Sequence, residues 1–265
     1  MKRRLAVLFL FLLTVIGGWA ATFTVDGICY KLNDDGITVS VTKKSGNYSG
    51  EVTIPASVTY SGDTYTVTAI DVSAFTRSSM TAINLPSTIV TIGQYAFDDC
   101  TSLTVINLPS SITTIAKRAF EGCTGLTNIE LPSGVTTLAE GTFVGCTSLT
   151  SIDLSSIKEI EEKSFYNCTS LATVTLGSGL TSIGDYAFYF CPITSLDIPA
   201  SVETIGNDAF YQNYSVLASL TLHEGLKSIG EAAFSCGSSQ GVPISELSLP
   251  NSLVNIGDAA FYYCI

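Results

Sequence analysis

One phrase of roughly 23 residues is repeated through most of this chain. From Leu103 to Cys123 it reads LTVINLPSSITTIAKRAFEGC, and from Leu126 to Cys146 it reads LTNIELPSGVTTLAEGTFVGC. It returns over residues 149–168 and 171–191. The frame is L-x-x-I-x-L-P-x-x-V-x-x-I-G-x-x-A-F-x-x-C. Phenylalanine marks its register at Phe75, Phe97, Phe120, Phe143, Phe165, Phe188, Phe210, Phe234 and Phe261, with gaps of 22, 23, 23, 22, 23, 22, 24 and 27. A second register, Leu85, Leu108, Leu131, Leu154, Leu176, Ile198, Leu222 and Leu249, keeps the same period. A unit this short cannot bury its own apolar face. Stacked copies can share one continuous core, so the chain reads as a solenoid of about nine coils.

Each coil divides into three stretches. L-x-x-I-x-L alternates at period two and reads as a strand. Pro86, Pro109, Pro132, Pro199 and Pro250 end it, because proline cannot donate to a ladder. V-x-x-I is a second short extended piece, with threonine at positions such as Thr113, Thr114, Thr136 and Thr137. The G-x-x-A-F-x-x-C stretch reads as a short helical turn, opened by Gly93, Gly184, Gly206, Gly230 and Gly257. No long helix fits anywhere after the leader.

The N-terminus departs from the repeat. Lys2, Arg3 and Arg4 precede an apolar run, Leu5–Ile16, and then Gly18-Trp19-Ala20. This is the pattern of a secretory signal peptide over residues 1–20, cleaved near Ala20 or Ala21, and the run is too short to span a membrane comfortably. Residues 21–68 are β-rich without the period. Asp26-Gly27 is a tight-turn pair, Val52-Thr53-Ile54-Pro55 matches the strand exit of later coils, and Tyr60 to Tyr65 interrupts the unit like an inserted hairpin. We read 21–68 as an N-terminal β cap with a degenerate first coil, and 69–265 as the solenoid. Loss of the leader removes three of twelve basic residues and no acid, so net charge moves from 12 − 23 = −11 to 9 − 23 = −14. Nucleic acid and anionic membranes are poor partners for such a surface.

Chemistry-bearing constellations are sparse. Cys100, Cys123, Cys146, Cys168, Cys191 and Cys264 each lie three residues after a register phenylalanine, where Ser78 and Asn213 stand in two other coils. Cysteine, serine and asparagine share small size and a hydrogen-bonding head. The slot therefore calls for a small inward group touching backbone, and the thiols are expected free rather than cross-linked. There is no C-x-x-C, and His223 is the lone histidine, so no metal or cofactor is expected. The acid pairs Asp98-Asp99 and Glu161-Glu162 fall on turns and read as solvated. An enzyme needs convergent titratable groups, and none is apparent.

The strand motif with I-x-L-P and I-G-x-x-A-F-x-x-C resembles the BspA-like, or Treponema-type, bacterial leucine-rich repeat over about residues 50–265. The VDGICYKL and GEVTIPASVTYSGDTYTVTAI segments resemble the leader-proximal region of such proteins from Bacteroidetes. The resemblance implies a right-handed leucine-rich repeat superhelix of 22–24-residue coils. It also implies an exported, secreted or cell-surface protein, non-enzymatic, that mediates protein binding or adhesion to host or microbial surface proteins. A glycan-binding module and a ligand-free spacer remain as alternatives.

Two surfaces are candidates for a ligand. Tyr186, Tyr189, Phe190, Tyr211 and Tyr214 come from adjacent coils, and none occupies a register position. The alternative is the outward row of the strand, whose polar members include Asn107, Glu130, Asp153 and Asp197. The chain also stops at Tyr263-Cys264-Ile265, in mid-unit, so self-association through an open last coil is a further expectation.

Overall fold

Apolar residues at alternate positions turn inward while the polar residues between them face solvent, as Ser151–Leu154 shows with its strict exposed–buried alternation. In the computed structural model, which describes residues 22–211, 217–236 and 247–263, this pattern repeats coil after coil and builds a β-solenoid. No helix occurs among the described residues.

Six strands form the N-terminal end: β1 (Thr22–Val25), β2 (Ile28–Leu32), β3 (Thr38–Thr42), β4 (Ser49–Thr53), β5 (Ser57–Tyr60) and β6 (Asp63–Ile70). β1 and β2 pair antiparallel around Asp26-Gly27, with φ of 49° and 78°; β5 and β6 do so around Ser61-Gly62, with φ of 53° and 94°. Two left-handed residues in a two-residue loop match the twist of the flanking strands. β3 then pairs parallel with β6, where the solenoid ladder begins. β4 is the end strand of the other ladder, and its outer edge is blunted by a bulge at Gly50 (φ 71°) and by the exposed Glu51.

Two parallel ladders run along the stack. The first carries the I-x-L strands and is cut into three pieces. Four strands run from β4 to Asn128–Ile129, Ser151–Leu154 pairs with Thr173–Leu176, and Ser195–Ile198 pairs with Ser219–Leu222. The second ladder is made of two-residue strands from V-x-x-I, and it is continuous from Thr137–Leu138 to Asn255–Ile256.

The stretch expected as a helical turn is a chain of hydrogen-bonded turns, with donors that alternate in direction. Tyr95, Phe97 and Asp99 donate their N–H groups to Lys117, Ala119 and Glu121 of the next coil, at 3.3, 2.8 and 2.8 Å. The residues between them, Ala96, Asp98 and Cys100, bond back within their own coil to Gly93, Tyr95 and Phe97. The same alternation recurs in later coils. It requires left-handed backbone two residues before and two after the register phenylalanine, as at Tyr95 and Asp99 (φ 56° and 54°) around Phe97. The opening glycines serve another purpose. A Cβ on Gly184 would lie 2.7 Å from the Glu162 nitrogen and 2.8 Å from the Glu161 carbonyl carbon, so glycine there permits close approach of adjacent coils.

All nine register phenylalanines stack in one column. From Phe75 to Phe261 successive ring centroids are 5.0–5.4 Å apart and the rings tilt by 12° or less. Beside this column the thiols of Cys100, Cys123, Cys146, Cys168 and Cys191 each donate to the phenylalanine carbonyl of the preceding coil, at 3.0–3.2 Å. The slot thus does what its Cys/Ser/Asn occupancy implied: a small head is satisfied by backbone. Burial pushes the Cys100 thiol up to about 12 and the Cys123, Cys146 and Cys191 thiols well above the usual thiol range. Those five and Cys29 are free, whereas Cys236, which lies off the slot, is disulfide-bonded and departs from the expectation of free thiols. Cys264 lies outside the described residues.

Candidate functional site

The residue after each register phenylalanine lies on the outer turn face. In three successive coils it is tyrosine, and the coil spacing stacks these rings like those of the core. Tyr166 and Tyr189 stand 5.0 Å apart at 2°, and Tyr189 and Tyr211 stand 5.0 Å apart at 10°. Phe190 and Tyr186, the left-handed residues of the Tyr189 coil, meet the Tyr189 ring edge-on at 4.7 and 5.6 Å. The sequence-selected residues Tyr186, Tyr189, Phe190 and Tyr211 therefore form one patch, each half-buried. Tyr214 lies outside the described residues. Tyr166 is a member that sequence reasoning passed over, although its Phe-Tyr dipeptide repeats at the period.

Charged groups border the patch. The Lys163 ammonium lies 5.3 Å from the Tyr186 ring centroid and is paired with Glu162. The Tyr186 hydroxyl bonds to the Asp208 carboxylate, and the Asp208 charge raises the phenol above its ordinary value. Burial raises Asp208, with Glu231 and Asp185 adding to the effect. Tyr189 is raised as well, first by burial between its neighbours.

The strand-face row is open and polar. Asn107, Glu130, Asp153 and Asp197 are all exposed. Where the first ladder breaks between Ile129 and Ile152, a shallow concavity of about 490 Å³ opens, lined among others by Asn128, Glu130, Ser151, Asp153 and Ser155. Asp153 accepts from the Ser155 hydroxyl and, at 2.9 Å, from its N–H, which holds the carboxyl below the usual range. Asp197 lies 2.7 Å from Nε2 of His223, an exposed contact far from the concavity. The row thus splits into separate polar stretches and offers no aromatic or arginine anchor.

The acid pairs are less solvated than the sequence suggested. Asp98 is half-buried and raised by burial, and Glu161 Oε2 accepts the Glu140 N–H at 2.8 Å. Among the described residues no group of three His, Cys, Asp or Glu is placed to hold a metal ion, and no helix is long and apolar enough to cross a membrane.

A family model for the BspA type leucine rich repeat region matches residues 68–160 and 154–265. The chain belongs to this family. Among solved structures, a leucine rich cell surface protein from Faecalibacterium prausnitzii A2-165 is 26% identical with a TM-score of 0.68, over 91% of this chain and 73% of that one. The leucine-rich repeat protein of T. pallidum is 24% identical with a TM-score of 0.55, over 92% and 89%. The pneumococcal vaccine antigen PcpA is 21% identical with a TM-score of 0.60, over 91% and 78%. The last two likenesses speak to the fold alone. Comparison with curated protein sequences finds no match. For this BspA-type repeat the turn-face patch is the candidate binding surface, and the strand-face concavity is the alternative.

Proposed function

We propose that the protein is exported by its N-terminal signal peptide, acts at the cell surface or as a secreted protein, and binds a protein partner through the turn-face aromatic patch. The cell-surface relative from Faecalibacterium and the charged-then-apolar leader support export. The clustering of five half-buried aromatic rings supports the binding role, since interface energy concentrates in such anchors.

Ring geometry favours a protein over a glycan at this patch. Sugars stack on open aromatic faces. Both faces of Tyr189 are covered, by Tyr166 on one side and Tyr211 on the other. What the ladder offers outward is ring edges and hydroxyls, which suit the mixed apolar and hydrogen-bonding surface of a protein. The decisive experiment presents the mature chain to a panel of purified host-matrix and microbial surface proteins and to a glycan array. The expected result is a protein partner whose affinity falls at least tenfold on replacing Tyr189, Phe190 and Tyr211 with serine in a chain of unchanged circular dichroism. If that affinity survives but collapses on neutralising Glu130, Asp153 and Asp197, the strand face is the site. Binding to glycans alone would refute the protein reading.

A further inference from the structure

The turn face changes its charge balance partway along the stack. Over the earlier coils its acids meet bases: Arg77 with Asp99 at 3.4 Å, Arg118 with Glu121 at 3.1 Å, Lys117 with Glu140, and Lys163 with Glu162. Beyond Lys163 this pairing stops. Residues 164–265 hold eight acids and a single Lys or Arg, Lys227, which Glu203 takes at 2.8 Å on another face. Asp185, Asp208 and Glu231 sit on successive coils along the rim of the aromatic patch, and no ion pair joins any of them to a Lys or Arg among the described residues. Their contacts are with neutral groups: Asp185 Oδ1 accepts the Asn207 N–H at 2.7 Å, and Asp208 bonds to the Tyr186 hydroxyl. Asp208 is shifted upward first by burial, with the Glu231 and Asp185 charges adding to it.

A second observation concerns the rings. Tyr186 and Phe190 hold left-handed backbone, with φ of 57° and 60°. That region is unfavourable for bulky side chains. The equivalent residues around Phe143 are Gly141 and Gly145, with φ of 65° and 69°, so the fold itself is content with glycine at both places. The conformation itself is common to the stack, being held also by Tyr95, Arg118, Lys163 and Tyr263; what sets this coil apart is that both positions carry an aromatic ring, and both rings meet Tyr189.

We propose that this rim and patch form a docking surface for a basic protein segment, with arginine or lysine heads on Asp185, Asp208 and Glu231 and their carbon stems against the edges of Tyr189, Phe190 and Tyr211. The inference rests on the patch being the partner site and adds the chemical class of the partner. Its test uses a fluorescein-labelled decapeptide of alternating arginine and glycine, read by anisotropy at low and at high salt. Two variants carry the same net charge: Asp185→Asn/Asp208→Asn/Glu231→Gln on the rim, and Glu130→Gln/Asp153→Asn/Asp197→Asn on the strand face. The rim variant should bind about tenfold more weakly, while the strand-face variant stays within about twofold of the parent. Equal losses from both would reduce the effect to bulk charge, and an unchanged rim variant would remove the rim; either result overturns the proposal. Tyr186→Gly/Phe190→Gly, shown to be folded by an unchanged far-UV circular dichroism spectrum, should also lose peptide affinity. If it binds as the parent does, the rings take no part and the docking surface as drawn is wrong. A panel protein that loses affinity with the aromatic variants but not with the rim variant would leave the patch standing and refute only the basic class.

Discussion

Phe143 lies near the middle of the phenylalanine column. Its ring is fully buried and lies between Phe120 at 5.4 Å and Phe165 at 5.3 Å, tilted by 7° and 12°. Truncating a core phenylalanine to alanine costs about 3–5 kcal/mol, and each aromatic pair adds about 0.5–1.5 kcal/mol beyond burial. Phe261 has one stacked neighbour, Phe234 at 5.4 Å, and is only half-buried. We therefore expect Phe143→Ala to cost about 5 kcal/mol and Phe261→Ala about half as much. Urea unfolding followed by far-UV circular dichroism measures both. With a slope of about 2.5 kcal/mol per molar, the central variant should unfold about 2 M earlier. Because each coil touches only its neighbours, a gap in the middle should also split the transition into two steps, while a gap at the end should not. A shift below about 0.5 M for Phe143→Ala, or equal shifts for the two variants, would refute the continuous column as the source of stability.

Other outcomes follow from the same geometry. Titrating denatured, unreduced protein with a thiol reagent should release the six free thiols, whereas the five ladder thiols of the native protein should stay silent because all are fully buried and out of reach of the reagent. Cys146→Ser should keep the carbonyl bond and cost little, while Cys146→Val should cost about 1–3 kcal/mol by overpacking, both read from urea midpoints. Gly184→Ala drives a methyl into the backbone at Glu161 and Glu162 and should cost about 1–3 kcal/mol. Gly179→Ala meets nothing within 4 Å and should be neutral or slightly stabilising in the same measurement. Glu140 is held below its ordinary 4.5, first by its bond to Lys117 and then by Arg118. Its contribution is therefore present above the unfolded value and lost as pH falls through the lowered folded one, so Glu140→Gln should flatten the acid limb of a stability–pH curve.

Much of this architecture could be read from the sequence because the determinants are periodic. The phenylalanine column and the thiol slot were both visible as residues recurring every coil. The outward strand row followed from the two-residue period alone. The turn segment was harder. Left-handed backbone is normally announced by glycine or asparagine, yet here Tyr95, Arg118, Lys163, Tyr186 and Asp208 adopt it. The conformation is imposed by stacking, which needs alternate N–H groups turned toward the next coil, and no local propensity encodes that. The glycines that are present misled for the same reason, since Gly184 marks a close approach of chains rather than a turn. The patch was half legible: exposed aromatics stood out, but Tyr166 did not until the coil spacing set it 5.0 Å from Tyr189.

A repeat of this kind also limits where recognition can reside. Residues that recur in every coil are consumed by the stack: the phenylalanines by one another, the thiols by carbonyls, the inward isoleucines and leucines by the core. A consensus position cannot distinguish one coil from the next, so a localised partner site must be built from departures. The outer position after the register phenylalanine is such a place. It holds Thr76, Asp98, Glu121 and Val144 in the first coils, tyrosine in the next three, and then Ser235 and Tyr262, so only the middle three form an unbroken run. The left-handed positions are occupied mostly by non-glycine residues throughout, but the Tyr186 and Phe190 coil alone carries an aromatic residue at both. The exhaustion of basic residues beyond Lys163 coincides with both. Two departures from the repeat, in side-chain type and in charge, converge on one stretch of the turn face. The strand-face row is interrupted where its ladder breaks, but it changes from Asn107 to Glu130 to Asp153 without gaining a large side chain.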